Sequence, residues 1–556
     1  MSPHHARLVD DDSRITYFGA THTRGKREMF GIRAIDRGKH MYVIGKTGMG
    51  KSTMLENMAI QDIQNGEGVA FIDPHGSTAE KLLDFVPHER IKDVLYFAPF
   101  DTDYPVGFNV MEDVGFDKRH LVVSGLMGAL KRIWVDAWSA RMEYILQNTL
   151  LALLEYPDTT LIDVNRMLTN KMFRAAVVEK LTDPVVKAFW TEEFANFTDS
   201  YTREATPAIQ NKIGQFVSNP LIRNIVGQSK SSFDVRAMMD EKKILIVNLS
   251  KGRMGETNAA LLGSMLVVKI YLAAMSRADE PAVRMAKLPR CYFYVDEFQS
   301  MMNEAFADIL SESRKYKLAL TLANQYIEQM EEKVRDAVFG NIGTMICFRV
   351  GPFDAEVLKT VFEPTFLAED LVGLGLGQIY LTLMIDGVGS APFSAETIPP
   401  IDAPPISYRD DVVRFSRAQF ARSRTDIEHS IEKRQLEFAP PQKQERVRGS
   451  FDARHKTTGV ARSSYSHPVM RTVQQEVRAE HEPISVEARP RSPADILRAR
   501  RMQKESQQPT ASTQHISPVR TESGSSTQPD HRDQRNGEVA TEALRNLLKY
   551  EHHNRA

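Results

Sequence analysis

The chain has 556 residues, 42% of them hydrophobic and 26% charged, with a formal net charge of -1, so it is long enough for about two to four domains with a sizeable core. Charge so close to neutral excludes a bulk electrostatic pull toward nucleic acid or membrane, and any such contact must be local. Only two cysteines occur, Cys291 and Cys347, each inside an apolar run, which fits buried reduced thiols in the cytosol and excludes a disulfide scaffold.

At the N-terminus, MSPHHARLVDDDSR has a few basic residues and no apolar segment behind them, so no secretory leader is expected. Runs rich in β-branched and aromatic residues then recur at 41–45, 69–73, 94–98, 244–249, 291–296, 318–323, 344–350 and 379–384. They are continuously apolar instead of alternating, the pattern of a mainly parallel sheet covered on both faces. Between 98 and 243 the strand signal is absent for about 140 residues and apolar residues recur at helical spacing, as in Met142, Ile145, Leu146, Leu150 and Leu153. All three tryptophans, Trp134, Trp138 and Trp190, fall there and read as core of a helical unit. The spacing therefore predicts an α/β domain split into 1–117 and 236–400, interrupted by an all-α insertion at 118–235.

The longest apolar stretch, 261–275, is interrupted by Lys269 and falls short of the roughly 20 residues needed to span a bilayer, so it reads as a core helix. From 401 to 556 the composition turns to Arg, Gln, Ser, Glu, His and Pro, predicting a mostly disordered tail with short helical pieces such as 411–438. This tail carries +6, leaving -7 for the rest. Such a tail can touch DNA or an acidic partner, or serve as a solvated linker.

Gly45, Lys46, Thr47, Gly48, Met49, Gly50, Lys51 and Ser52, followed by Thr53, form Gly-x-x-x-x-Gly-Lys-Ser at the end of the 41–45 strand. Glycines let backbone N–H groups wrap a phosphate, the following helix aims its positive end at the anion, Lys51 reaches the β and γ phosphates, and Ser52 joins the Mg2+ shell. Thr47 and Met49 read as shaping the loop. The run 291–295 delivers Asp296 and Glu297 to a strand end, where Asp296 can hold a Mg2+-bound water and Glu297 can act as general base on the attacking water. No Asn-Lys-x-Asp guanine-reading motif occurs, which favours ATP. The next strand ends in Asn324 and Gln325, where an amide can bridge γ phosphate and water. Between the two strands lies Arg314, either an arginine finger for a neighbouring subunit's site or a solvated cation. Asp73-Pro74-His75-Gly76 forces a turn that puts Asp73 and His75 near the same edge. Arg349 can reach phosphate, a subunit interface or an ion-pair partner.

With these residues in order, the chain resembles the TraG/TraD family of type IV secretion coupling ATPases, within the HerA/FtsK group of hexameric DNA pumps. The matching pieces are Asp36-Arg37 and His40, the phosphate loop, Asp73-Pro-His-Gly, Gly107-Phe-Asn109, Leu249-Ser-Lys-Gly252 with Gly255, Val295-Asp-Glu-Phe298, Ser313-Arg-Lys-Tyr316 and Ala323-Asn-Gln325. The resemblance implies a RecA-like P-loop NTPase fold, ATP and Mg2+ as cofactors, a homohexamer with Arg314 acting in trans, DNA gripped without sequence preference in a central channel, and a relaxase or other cargo met by the all-α insertion. Coupling proteins carry two membrane helices ahead of the ATPase domain. Here about 40 residues precede the loop and none can span, so the resemblance implies a soluble cytoplasmic variant that docks on a membrane-bound secretion partner. A soluble HerA-like DNA-processing translocase and an ATPase driving protein export or channel assembly without nucleic acid are the alternatives.

Overall fold

A computed structural model of the chain describes residues 10–23, 25–112, 114–302 and 305–438. The tail expected over 439–556 lies outside the described residues. Each of the eight apolar runs is a strand: β3 (Met41–Ile44), β4 (Gly68–Asp73), β5 (Val94–Phe97), β6 (Ile244–Asn248), β7 (Cys291–Val295), β8 (Leu318–Asn324), β9 (Thr344–Cys347) and β10 (Gln378–Thr382). Five more were not expected: β1 (Ile15–Thr23), β2 (Lys26–Arg33), the short pair β11 (Met384–Ile385) and β12 (Val388–Gly389), and β13 (Phe393–Thr397). Eleven strands form one sheet in the order β2-β1-β13-β10-β9-β3-β8-β7-β4-β6-β5. From β9 to β5 the pairing is parallel, and from β9 outward to β2 it is antiparallel.

Helices cover both faces of the parallel part, which is why its strands need apolar residues at successive positions. Val69 and Phe71 of β4 pack with Met54, Leu55 and Met58 of helix Lys51–Gln64. Ala70 and Ile72 point the other way, into a core shared with helix Glu256–Met275. That helix contains the run expected as a core helix. With its continuation to Asp279 it is long and apolar enough to cross a membrane by composition, but 72% of its apolar window is buried inside the protein. Both cysteines are buried, and burial pushes the Cys291 thiol up to about 12.

Between β5 and β6 the described residues are helical, from Arg119–Ile133 to Val235–Asp240, with no strand. Trp190 is buried there and Trp134 and Trp138 pack on the same core. Asn109 ties the base of this excursion together. Its amide donates to the carbonyls of Thr159 and Ser229, both at 2.8 Å, its backbone N–H donates to Ser231 Oγ, and its Oδ1 accepts from Met111 N. A Cβ at Gly107 would come within 2.8 Å of Gln228 Oε1 and Ser232 Oγ, so any larger residue there would have to displace both side chains.

Residues 401–438 carry two helices, Arg409–Phe420 and Arg424–Leu436. Ser416 is buried and accepts from Tyr96 N of β5, and Arg409 grips Asp84. Ile427 and Ile431 bury against Ile162, while Arg434 donates to the carbonyls of Asp158 and Gly227. This stretch of the expected tail is thus packed along the sheet edge and the helical segment.

At the opposite end of the sheet from the phosphate loop, His40 occupies the left-handed region at φ 63 and is buried. Its Nδ1 accepts from Leu320 N at 3.2 Å, and Nε2 lies 3.4 Å from Ser313 Oγ. Burial, with Arg314 nearby, pulls its pKa down to about 4, against a bond to the Leu310 backbone. The unfolded chain therefore binds a proton between about pH 6.5 and 4 that the folded chain refuses. Stability is unaffected above 6.5 and falls as pH drops toward 4, by up to roughly 3 kcal/mol from this group. Urea midpoints taken across that range are expected to fall, and His40→Asn, an amide that tolerates the left-handed backbone, is expected to flatten the trend.

Candidate active site

Four parallel strands end side by side at the site. β3 runs straight into the loop, whose entry is pinned on both sides: Gly45 N donates to Asn324 O at the end of β8, and Lys46 N donates to Arg349 O beyond β9. A Cβ on Gly45 would lie 2.5 Å from Phe348 Cβ. Gly48 and Gly50 sit at φ 77 and 111, a region an L side chain rarely enters. Helix Lys51–Gln64 starts at Gly50 with no side-chain cap, so its first N–H groups face the loop as donors for an anion.

Lys51 is buried, and its Nζ donates to the carbonyls of Gly45 and Lys46, the second at 3.1 Å. Burial lowers its pKa, and Asp296 and Glu297 oppose that. Ser52 Oγ donates to Asp296 Oδ2 at 2.8 Å, which brings together the hydroxyl and carboxylate expected around a divalent cation. Asp296 is buried and its pKa is raised, first by desolvation and only partly countered by Ser52. A bound cation would relieve that cost. Thr53 follows within the helix. The donors and acceptors present therefore fit a nucleoside triphosphate with Mg2+.

Glu297 stands just past β7 in the left-handed region, at φ 48, a backbone cost on the order of 1 kcal/mol that active sites commonly carry. The turn swings its side chain across to β8. Its Oε1 accepts from Gln325 Nε2 and lies 3.8 Å from His75 Nε2, and its Oε2 accepts from Gln299 Nε2 at 2.7 Å. Burial works against the charge, but the bonds from His75 and Gln325 outweigh it and hold the carboxyl below its usual range. The same contact raises the His75 pKa. Gln325 is also joined to the loop, because Thr47 Oγ1 donates to its Oε1 at 3.0 Å. Thr47 thus reaches the Gln325 amide, whereas Met49 packs against the core. Asp73 orders the neighbouring turn by accepting from His75 N and Ala79 N.

Two expected residues stand apart from this cluster. Arg314 is exposed in the turn Ser313–Tyr316 that precedes β8, at the far end of a seven-residue strand, roughly 20 Å from Gln325. It cannot reach the loop of its own chain. Arg349 meets the loop through its backbone carbonyl. His75 and Gln299 matter more than the sequence suggested. The Asp-Pro-His-Gly turn signalled the first, and nothing in the sequence signalled the second. A cleft of about 800 Å3 lies elsewhere among the described residues, at the base of the helical segment. Its lining charges are largely paired, as with Lys269 and Glu112 at 2.9 Å.

Residues 32–356 match the family model described as the type IV secretion-system coupling protein DNA-binding domain. The chain belongs to this family. The matched span contains the phosphate loop, the helical segment and the strands that carry Asp296, Glu297 and Gln325. Among solved structures, the chain is similar in fold to the bacterial conjugative coupling protein TrwBdeltaN70 in its unbound monoclinic form, with a TM-score of 0.51 and 15% identity over 73% of this chain and 92% of that one. Plasmid coupling protein TrwB in complex with ADP and Mg2+ gives 0.51 and 15%, over 73% and 98%. VirB4 of Thermoanaerobacter pseudethanolicus is also similar, at 0.47 and 13%, over 71% and 98%. No curated protein sequence matches the chain.

Proposed function

We propose that the chain is an ATP-hydrolysing coupling protein that drives DNA toward a type IV secretion channel. The observation that carries this is a complete hydrolysis constellation inside a span that matches the coupling-protein DNA-binding family. ATP with Mg2+ supplies, when bound, the phosphoanhydride to be cut. Lys51 and the uncapped helix start would hold the phosphates, Ser52 and Asp296 would hold the metal, Glu297 would take the proton of the attacking water, and Gln325 would orient that water from the neighbouring strand.

Arg314, too far from its own loop, acts in a neighbour's site. That placement supports a homohexamer with nucleotide between subunits and DNA in the central channel. A relaxase or other cargo docks on the helical segment, and a membrane-bound secretion partner receives the ring. Such a motor grips phosphates and ignores bases, so its DNA affinity falls steeply with salt, by roughly 10³-fold or more between 50 and 200 mM for six to ten phosphate contacts.

ATPase rate is to be measured with and without single- and double-stranded DNA, at low and high salt, on protein sized by chromatography. Stimulation by DNA of unrelated sequences, lost at high salt, is the expected result. Full basal activity with no response to either form of DNA would overturn the reading in favour of an export or assembly ATPase.

A further inference from the structure

Helix Arg119–Ile133 opens the helical segment and packs along Glu256–Met275 beneath the sheet. In its last turn Arg132 leaves the helical segment and reaches the nucleotide edge of the sheet. One guanidinium nitrogen, Nη2, donates to the backbone carbonyl of Gln299, and Nη1 lies 3.6 Å from Glu331 Oε1. Gln299 belongs to the turn Phe298–Ser300 immediately after Glu297, and its amide holds Glu297 Oε2. Glu331 follows the turn Ile327–Gln329, which leaves β8 directly after Gln325, and the Gln325 amide holds Glu297 Oε1.

One side chain of the helical segment therefore grips both loops whose amides fix the Glu297 carboxylate, one on each oxygen. Burial lowers the Arg132 pKa even beside Glu331, as expected of a guanidinium seated between packed elements and not of a solvated surface cation. Its planar fork holds two nitrogens in fixed geometry toward the carbonyl and the carboxylate, whereas an ammonium offers a single point charge on a flexible stem. Elements with two arrangements transmit coupling through such contiguous contacts.

We infer that Arg132 is a positioning residue through which the helical segment sets the aim of the Glu297 carboxylate, so that DNA bound by the protein changes the hydrolysis rate by way of that segment. This rests on Glu297 as the general base. Nucleotide acts on the loop side of Glu297 and the helical segment on the other.

The test compares Arg132→Met, which keeps the packed stem, and Arg132→Lys, which keeps the charge but not the fork, with the unaltered full chain. The readouts are KM for ATP, and kcat with and without DNA. Both variants are expected to keep KM within about twofold while the ratio of DNA-stimulated to DNA-free kcat falls about tenfold in Arg132→Met and less in Arg132→Lys. A purely structural stitch would lower the melting temperature and leave that ratio intact. The inference is overturned if Arg132→Met keeps the full ratio, or, should it fail to fold, if Arg132→Lys keeps it. Glu297→Gln is run in parallel. Sustained hydrolysis in that variant would mean the site reading had failed, whereas an inactive Glu297→Gln beside fully stimulated Arg132 variants would sink the coupling alone.

Discussion

Glu297→Gln is expected to lower the maximal rate of ATP hydrolysis by roughly 10² to 10⁴-fold while leaving nucleotide binding nearly unchanged. An amide keeps the shape of the carboxylate but cannot take a proton. Glu297 is the group that Gln325, Gln299 and His75 converge upon, so its loss removes the base and leaves the cradle. Lys51→Ala separates the two functions from the other side. The buried Nζ bonds to the carbonyls of Gly45 and Lys46 within the loop, and without it nucleotide affinity is expected to fall along with turnover. Phosphate release and binding of a fluorescent nucleotide measure the two quantities. A Glu297→Gln protein that hydrolyses within about threefold of the unaltered chain would remove Glu297 from its role as base.

The second large effect is on stability. Arg37 is fully buried, and its Nη1 donates to both oxygens of Asp62, at 2.8 and 2.9 Å, and to Thr16 Oγ1. Its Nη2 donates to Tyr294 Oη at 2.6 Å, and that hydroxyl donates to Asp62 Oδ2 at 2.5 Å. The guanidinium also stacks 3.8 Å over the ring of Tyr292. Burial opposes the charge on Arg37, but Asp62 and the two tyrosines more than offset it. The network ties β1, helix Lys51–Gln64 and β7 together behind the phosphate loop. Asp62→Ala leaves a buried cation without its counter-ion, and a loss of about 3 to 5 kcal/mol in urea unfolding is expected. The double replacement Arg37→Met with Asp62→Leu removes both charges and should recover most of that loss. A cost under about 1 kcal/mol for Asp62→Ala would show that water solvates the site.

The parallel core was legible because strands sandwiched between helices must be apolar at successive positions, as β3 to β9 largely are. The strands β1, β2 and β13 were not. β2 begins with Lys26, Arg27 and Glu28, the first two exposed and the third half-buried, and β13 pairs between two antiparallel neighbours with only Ala395 buried. Solvent on one side leaves no continuous apolar signature. In the site, the loop, Asp296 and Glu297 announced themselves by residue type at a strand end. Gln299 and Arg132 did not, because their contribution depends on contacts across 167 positions of sequence, from Arg132 to the Gln299 carbonyl. Residues 401–438 looked like tail because their helices are polar on most faces, and only Val412, Ser416, Ile427 and Ile431 reach the interior.

Asn109 holds the outgoing chain to Thr159 and Ser229, so the long helical excursion begins and ends at one hydrogen-bonded clasp. β5 and β6 lie side by side in the sheet, and the clasp makes their register indifferent to what is strung between. Because closing a longer loop costs only about 0.6 kcal/mol per doubling of its length, a different helical module ending at the same clasp would cost the sheet little. Arg132 is the proviso. A module that keeps the clasp but not this arginine would leave the sheet intact and the two loops around Glu297 without their common tie.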